Sequence, residues 1–590
     1  MNKQDSLVAG LLAAGLMAVL VPFASLDVDF HHDGIMLKPA LDVLSGQVLF
    51  RDTFMQYGAL TCYLQALALW VQPALMSIRL LTVLAYGITL FFLYASWRLI
   101  LPRSLAIVSA ILFILFIPAG EKDWLDQYWK LLPWSSVYAM MFECVGVYAL
   151  LQVIRGEQPV RWGIVLGLAT ACTLWCRQPV GVIMAGCLVA FGLGLHWTKW
   201  TPARQTKRSI LSGIATGFVA VNVLLLGGVV LSGALPEWYY QNLLWPRKWM
   251  LGEVNANLPE FFFAFVHPAA GAWLLLLGLS VAGPAWLKRF RINLSARSRL
   301  VYYLGLGCVL FWQQERLLQV LALRDGGWTA LIPAIVLLQA VRGLILLFTG
   351  RGTPRPTESH LIAALATLSF GSLLQYYPVP DSWHILWSLA PAFGLLVFVF
   401  WRWLNRPAWV VAIVLSTTFL PALQLKLQSA TQALNRPLVT LTQPAVLRGM
   451  RVSPAQARTI GLIADCLAQV QRLQPGIPGA LIGNDALYLC FLNNRANPSP
   501  YYVTWPGLAD NAANQNRWNN IQRVRPLMIL HKARWDAVNE FYQGARYVPL
   551  LYVPEEALEI AVPEELAAPQ GWSAYKMNPA GPAGPARPRP

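Results

Sequence analysis

Long apolar runs separated by short polar loops fill the first 424 residues, and the runs stop after that. A helix needs about 20 mostly apolar residues to cross a hydrocarbon layer. Thirteen stretches reach or approach that length: 7–26, 77–97, 104–119, 134–154, 162–178, 180–197, 209–232, 261–287, 300–314, 328–349, 360–377, 384–401 and 408–424. The fifth and sixth share one run broken at Cys176-Arg177-Gln178-Pro179, and the ninth runs into Gln313-Gln314-Glu315-Arg316. The first stretch, behind Lys3, reads as an uncleaved anchor rather than a signal peptide, because no clear small-x-small site ends it and further spans follow. The pattern predicts a membrane α-helical, polytopic bundle of about thirteen transmembrane helices over residues 1–424.

From residue 425 the periodicity changes. An amphipathic helix is predicted near 454–473, apolar strands at Gly479–Gly483 and Pro526–Leu530, a helix near 533–543 and a strand at Tyr547–Val553. Together they predict a small α/β domain over 425–564. The tail 565–590, ending GPAGPARPRP, has the composition of a disordered segment.

Composition sharpens this. Of 590 residues, 56% are hydrophobic and 12% charged, against roughly a quarter charged in soluble domains, which excludes a cytosolic globular protein. The 45 basic and 28 acidic residues leave +17, a balance that in a soluble chain would suggest nucleic acid. Here the charges follow the loops. With the N-terminus inside, the inner loops hold Lys3, Arg98, Arg103, Arg155, Arg161, the 199–208 and 288–299 clusters, Arg351, Arg355, Arg402 and Arg406, against Asp5, Glu157 and Glu358 alone. That is the positive-inside bias of a membrane protein, and no reading module supports nucleic-acid binding. An odd number of spans places the C-terminal domain outside, which for a bacterial inner membrane is the periplasm. Cysteines form no metal-spaced cluster; Cys466 and Cys490 are the two that a disulfide in the outer domain would join.

The first outer loop, DVDFHHDGIMLKPALDVLSGQVLFRDTFMQYG (27–58), concentrates candidate chemistry. Five carboxylates (Asp27, Asp29, Asp33, Asp42, Asp52), His31, His32 and the Gln56-Tyr57-Gly58 end lie within it. Its apolar positions predict helices lying at the membrane interface. Asp27 and Asp42 read as a helix cap and a solvated group, whereas Asp33, between His32 and Gly34, reads as functional. Other polar groups recur at outer span ends: Lys122 among Glu121, Asp123 and Asp126; Arg177 in the broken run; Arg247 in Trp245-Pro246-Arg247-Lys248-Trp249; Arg324; and Asp381 with His384. Ionisable groups at a membrane are costly and so point to function. The bland readings are snorkelling for Arg177, interfacial anchoring for Arg247 and an exposed helix start around Lys122.

The first-loop pattern HHDG…PA…G…LFRD.F.QYG, together with QYYPVPDSWHILW and LYLCFLNNRANPSPYYVTWPG, resembles the GT-C superfamily of integral-membrane glycosyltransferases, which includes bacterial relatives of protein mannosyltransferases and the aminoarabinose transferases. The resemblance implies a polyprenyl-phosphate sugar donor, a hydroxyl acceptor on a lipid, polysaccharide or protein, transfer at the outer face and inversion at the anomeric carbon. Such transfer needs a carboxylate to take the acceptor proton; Asp33 is the first candidate, with Asp29 and Asp52 behind it. The leaving phosphate needs cations or donors: Arg177, Arg324 and His384 are the first choices, Lys122 and Arg247 the reserves, and Asp381, His32, Gln56 and Tyr57 further substrate contacts. No metal is the default, with a divalent cation such as Mg²⁺ or Mn²⁺ beside the donor phosphate as the alternative. Adjacent His31 and His32 lack zinc spacing. The rival readings are a secondary transporter, whose ionisable groups would sit near mid-membrane, and a lipid-linked polysaccharide polymerase or ligase.

Overall fold

A computed structural model describes residues 2–117, 131–197, 204–249, 358–372, 387, 390–404, 407–504, 508, 511–531 and 546–572. Lys122, Arg324, Asp381 and His384, the expected spans at 261–287, 300–314 and 328–349 and the helix near 533–543 lie outside the described residues.

The apolar runs become helices: α1 (Lys3–Ala24), α2 (His32–Leu44), α3 (Ala59–Val71), α4 (Leu75–Trp97), α5 (Arg103–Phe116), α6 (Ser135–Arg155), α7 (Pro159–Cys176), α8 (Gln178–Trp197) and α9 (Arg204–Leu231), then helices at Glu358–Ser372, Ala392–Leu404 and Ala408–Asn435. Five among the described residues are long and apolar enough to cross a membrane: α1, α4, α6, α7 and the Lys207–Leu231 part of α9. The chain is thus a helical membrane protein. Asn2 caps α1, its Oδ1 accepting from the Asp5 amide at 2.8 Å. The α7–α9 pair packs Gly163 and Gly167 against Gly213 and Gly217; a Cβ on Gly167 would lie 2.0 Å from the Ile214 carbonyl oxygen, so small residues four apart let the backbones touch.

The described residues between 439 and 563 contain six strands: β1 (Val439–Thr440), β2 (Arg451–Val452), β3 (Gly479–Ile482), β4 (Leu527–His531), β5 (Tyr547–Val553) and β6 (Leu558–Pro563). β1 and β2 pair antiparallel. The other four form a sheet of order β3-β4-β6-β5, with β3 parallel to β4 and β6 antiparallel to both β4 and β5. β3, β4 and β5 therefore end at the same edge. The helix Pro454–Leu473, capped by Ser453 Oγ on the Gln456 amide, shares a core with this sheet and with α2 and α3, through Phe30, Leu37, Leu447, Ile460, Leu487 and Ile529. Cys466 and Cys490 both enter that core as free thiols.

The first outer loop is stitched to this C-terminal part. Asp27 N–H donates to the Arg451 carbonyl (2.9 Å), Arg451 N–H to Ser25 (2.7 Å), Leu487 N–H to Phe30 (3.2 Å) and Phe54 N–H to Pro500 (2.9 Å). One expectation changes as a result. α2 is buried between α3 and the turn Ala486–Phe491, and Asp42 is fully buried instead of solvated. The reason is that the polar side of α2 satisfies itself. Lys38 Nζ meets both Asp42 oxygens at 2.6 Å and Asn497 Oδ1 at 2.8 Å, while Thr53 Oγ1 donates to Asp42 at 2.7 Å. A paired and fully hydrogen-bonded charge can be buried where a lone one cannot.

Candidate active site

Asp29 lies just before α2 and takes the free amides of the helix start, its Oδ1 accepting from His31 N (3.1 Å) and His32 N (2.7 Å). Its Oδ2 faces His32 Nδ1 at 3.1 Å. One layer behind, Asp33 is closed off. Arg79 Nη2 lies 2.5 Å from Asp33 Oδ2 and Arg79 Nε 3.3 Å from Oδ1, and the Asp29 amide donates to Oδ2 at 2.9 Å. Neither Asp33 nor Arg79 has solvent exposure. Burial pushes the Asp33 carboxyl above the usual carboxylate range, with the Arg79 guanidinium working against it. The expectation that Asp33 faces an acceptor therefore meets an ion pair that holds Asp29 in place.

From the Asp29–His32 pair a row of rings leads to Arg177. The His32 and Trp134 ring centroids are 5.0 Å apart, Trp134 and Tyr57 5.7 Å, and the Arg177 guanidinium carbon stands 6.0 Å from the Tyr57 centroid. Arg177 is the extended residue between α7 and α8, and it donates to Ser136 Oγ in the first turn of α6. Trp134, the N-cap of α6, offers no side-chain cap, and the buried Ser135 hydroxyl has no partner among the described residues. Beside Arg177, then, stands the positive end of a 21-residue helix. Gly58 permits this approach: its N–H donates to the Cys176 carbonyl at 3.1 Å, and a Cβ there would lie 1.9 Å from the Trp175 carbonyl oxygen. Gln56 is half-buried next to Tyr57, and its Oε1 has no hydrogen bond among the described residues. Burial raises the Tyr57 hydroxyl pKa, against the pull of Arg177.

Besides Asp33, the row omits Asp52 and Arg247. Asp52 sits on the rim, held by Arg51 Nε at 2.9 Å and by the Val48 amide at 2.8 Å, and Arg51 keeps it below the usual carboxylate range. Arg247 is exposed on the short helix Trp245–Trp249.

The C-terminal sheet adds residues that sequence reasoning missed. Asp485 follows β3, His531 ends β4 and Glu556 follows β5. His31 Nδ1 donates to the Asn484 carbonyl at 2.9 Å, and His531 Nε2 lies 3.5 Å from Asp485 Oδ2. Burial lowers the His31 pKa and raises that of Asp485, the latter opposed by His531 and His31. Arg79 had a readable signal: it is the one cation inside the apolar run of α4, and such a residue requires a counter-charge. Among the described residues no group of three or more His, Cys, Asp or Glu side chains is arranged to hold a metal ion.

No family model matches the chain, and no curated protein matches it. Among solved structures it is similar to the Archaeoglobus fulgidus oligosaccharyltransferase in complex with zinc and sulfate, at 11% identity over 95% of this chain and 73% of that one, with a TM-score of 0.49. It is also similar to ArnT from Cupriavidus metallidurans bound to undecaprenyl phosphate, at 12% identity over 94% and 97% of the two chains, TM-score 0.44.

Proposed function

We propose that the chain is a glycosyltransferase of the bacterial inner membrane that moves a sugar from a polyprenyl phosphate to a hydroxyl acceptor at the periplasmic face. The basic inner loops support an inside N-terminus, and the thirteen apolar stretches support a periplasmic C-terminal domain. The resemblance of the first loop supports the donor class. The chemistry rests on one observation: a carboxylate–imidazole pair, Asp29–His32, stands at one end of an aromatic row and the Arg177 guanidinium at the other.

In this reading the acceptor oxygen attacks the anomeric carbon as the bond from that carbon to the phosphate oxygen breaks. Its proton passes to His32 Nε2, and Asp29 stabilises the imidazolium through Nδ1. The electron pair leaves with the phosphate, whose charge is met by Arg177 and the free amides of α6. A single displacement from the face opposite the phosphate inverts the anomeric centre. Neither Asp33 nor Asp29 has an oxygen left for a divalent cation: those of Asp33 go to Arg79 and a backbone amide, those of Asp29 to two amides and His32.

The deciding experiment compares, by mass spectrometry, the glycolipids and envelope polysaccharides of a deletion strain with those of its parent. A sugar missing from the deletion strain, restored by the wild-type gene and not by Asp29→Asn, is expected. Identical glycans in both strains would sink the proposal.

A further inference from the structure

The carboxyl-end edge of β3, β4 and β5 faces the Asp29–His32 pair across His31. In open α/β sheets this edge is where ligands lodge. Two carboxylates, Asp485 and Glu556, converge there, both partly exposed. A second and independent feature lies beneath them. Tyr488 is fully buried, its ring stacked on Phe30 at 4.6 Å, and its hydroxyl has no hydrogen-bond partner among the described residues, while the charges of Glu556 and Asp485 both act on it. The Asn484 side-chain oxygen is likewise buried without a partner among the described residues. Buried polar atoms are nearly always paired, so an orphan donor on Tyr488, in reach of the Asp485 and Glu556 charges, and an orphan acceptor on Asn484, the residue before Asp485, point to a missing ligand.

The mixture of groups selects the ligand. Asp485, Glu556 and Asn484 Oδ1 can only accept, and the Tyr488 hydroxyl can donate. An anion would be repelled by the two carboxylates, and an ammonium would leave the Tyr488 donor unmet. Neutral hydroxyls both donate and accept, so a polyol satisfies all four. The Arg177 end, suited to the donor phosphate, lies beyond Trp134 and Tyr57, which leaves this edge to the other substrate. We propose that Asp485, Glu556, Asn484 and Tyr488 hold the hydroxyls of a carbohydrate acceptor and present one of them to the Asp29–His32 pair. The acceptor is thus a glycan; this rests on the proposed role of Asp29 and His32.

The test uses the purified full-length protein in nanodiscs. Free mono- to tetrasaccharides are screened by saturation-transfer NMR, a panel of serine/threonine peptides in parallel, and undecaprenyl phosphate is titrated separately to report on the Arg177 end. At least one saccharide should bind. Asp485→Asn with Glu556→Gln should weaken it about tenfold or more, and Tyr488→Phe, which keeps the ring on Phe30 and so guards against misfolding, about three- to tenfold. Saccharides that fail to bind the wild type, that bind the variants equally well, or that are replaced by peptides overturn the inference. Saccharide binding that depends on Asp485, in a protein that does not bind undecaprenyl phosphate, would uphold the subsite and overturn the donor reading instead.

Discussion

Arg79 and Asp33 form an ion pair 2.5 Å apart with no exposure on either side, joining α4 to the start of α2. The same guanidinium donates to the Leu26 carbonyl at 2.6 Å, so one cation ties the end of the first span, the first outer loop and the second long span together. Removing one member leaves the other buried and unpaired, which costs about 3–5 kcal/mol. Arg79→Met should therefore lower the thermal unfolding midpoint and the folded yield in detergent, and Asp33→Asn should lower both to a smaller extent. An Asp33→Asn protein of wild-type stability without transfer activity would return Asp33 to the role of proton acceptor.

The Asp29–His32 pair is reached from outside through His32, whose side chain is 26% exposed. Asp29→Asn and His32→Gln should each lower sugar transfer about 10²- to 10⁴-fold, the range for loss of a general base. Transfer is followed as glycan restored to the deletion strain by each variant expressed at equal level. Undiminished restoration by both variants would remove the pair from the chemistry.

How far the sequence announced this site can be judged residue by residue. The break between the fifth and sixth apolar stretches was legible, and α7 ends at Cys176 with α8 starting at Gln178, leaving Arg177 at the expected turn. Tyr57 and His32 also reach the row, because Gly58 and the Asp29 cap act over a few residues and such local constraints can be read in a sequence. The burial of α2 could not be read. Its polar side faces Asn497, more than 450 positions away, and hydrophobic periodicity holds no information about a distant partner. Asp485, His531 and Glu556 were missed for the same reason: each lies at or just past a strand end, far from the others in sequence, and only the strand order β3-β4-β6-β5 brings them to one edge.

In the proposed reading the planar Arg177 fork, next to the first turn of α6, meets the donor phosphate. Arg177→Ala should weaken undecaprenyl phosphate binding by more than about tenfold, and Arg177→Lys should recover only part of it, because an ammonium keeps the charge and loses the paired donors. Ser136→Ala, which removes the hydroxyl that orients the guanidinium, should have a smaller effect in the same direction. Fluorescence titration with the lipid phosphate measures all three. Unaltered binding in Arg177→Ala would leave Arg177 as a helix-end anchor.

His31 links the first loop to the sheet through the Asn484 carbonyl, and burial holds its pKa below the free-imidazole value of 6.5. As pH falls below that value the unfolded chain takes up the proton before the folded one does, so the stability supplied by the neutral ring is present above it and is lost as pH falls through the folded value. The groups facing His31 act on this slope: His32 lowers its pKa further, whereas Asp29 and Asp485 raise it. His31→Asn keeps a side-chain N–H near the Nδ1 position and cannot be protonated. The unfolding midpoint should fall more steeply for the wild type than for His31→Asn from about pH 7 to about pH 5. Parallel curves would show that the ring does not titrate with unfolding.

Gly34 is where α2 presses on the C-terminal part of the chain. A Cβ there would lie 2.2 Å from the Leu487 amide nitrogen and 2.8 Å from the Ala486 carbonyl carbon. Both are backbone atoms of the turn that carries Tyr488 and follows Asp485, and no side chain on that path can swing aside. Gly34→Ala must therefore separate α2 from the turn, costing about 1–3 kcal/mol or more as overpacking does, and it should move Asp485 and Tyr488 away from His31. Limited proteolysis should then cut the protein between the last long helix and the sheet faster than in the wild type, and glycan restoration should fall. Gly10→Ala serves as the control: it lies in α1 with nothing within 4 Å of the added carbon, and alanine favours a helix by up to about 1 kcal/mol. A Gly34→Ala protein with the cleavage pattern of Gly10→Ala would mean that the seam between α2 and the turn yields without loss, and that the site does not depend on its tight closure.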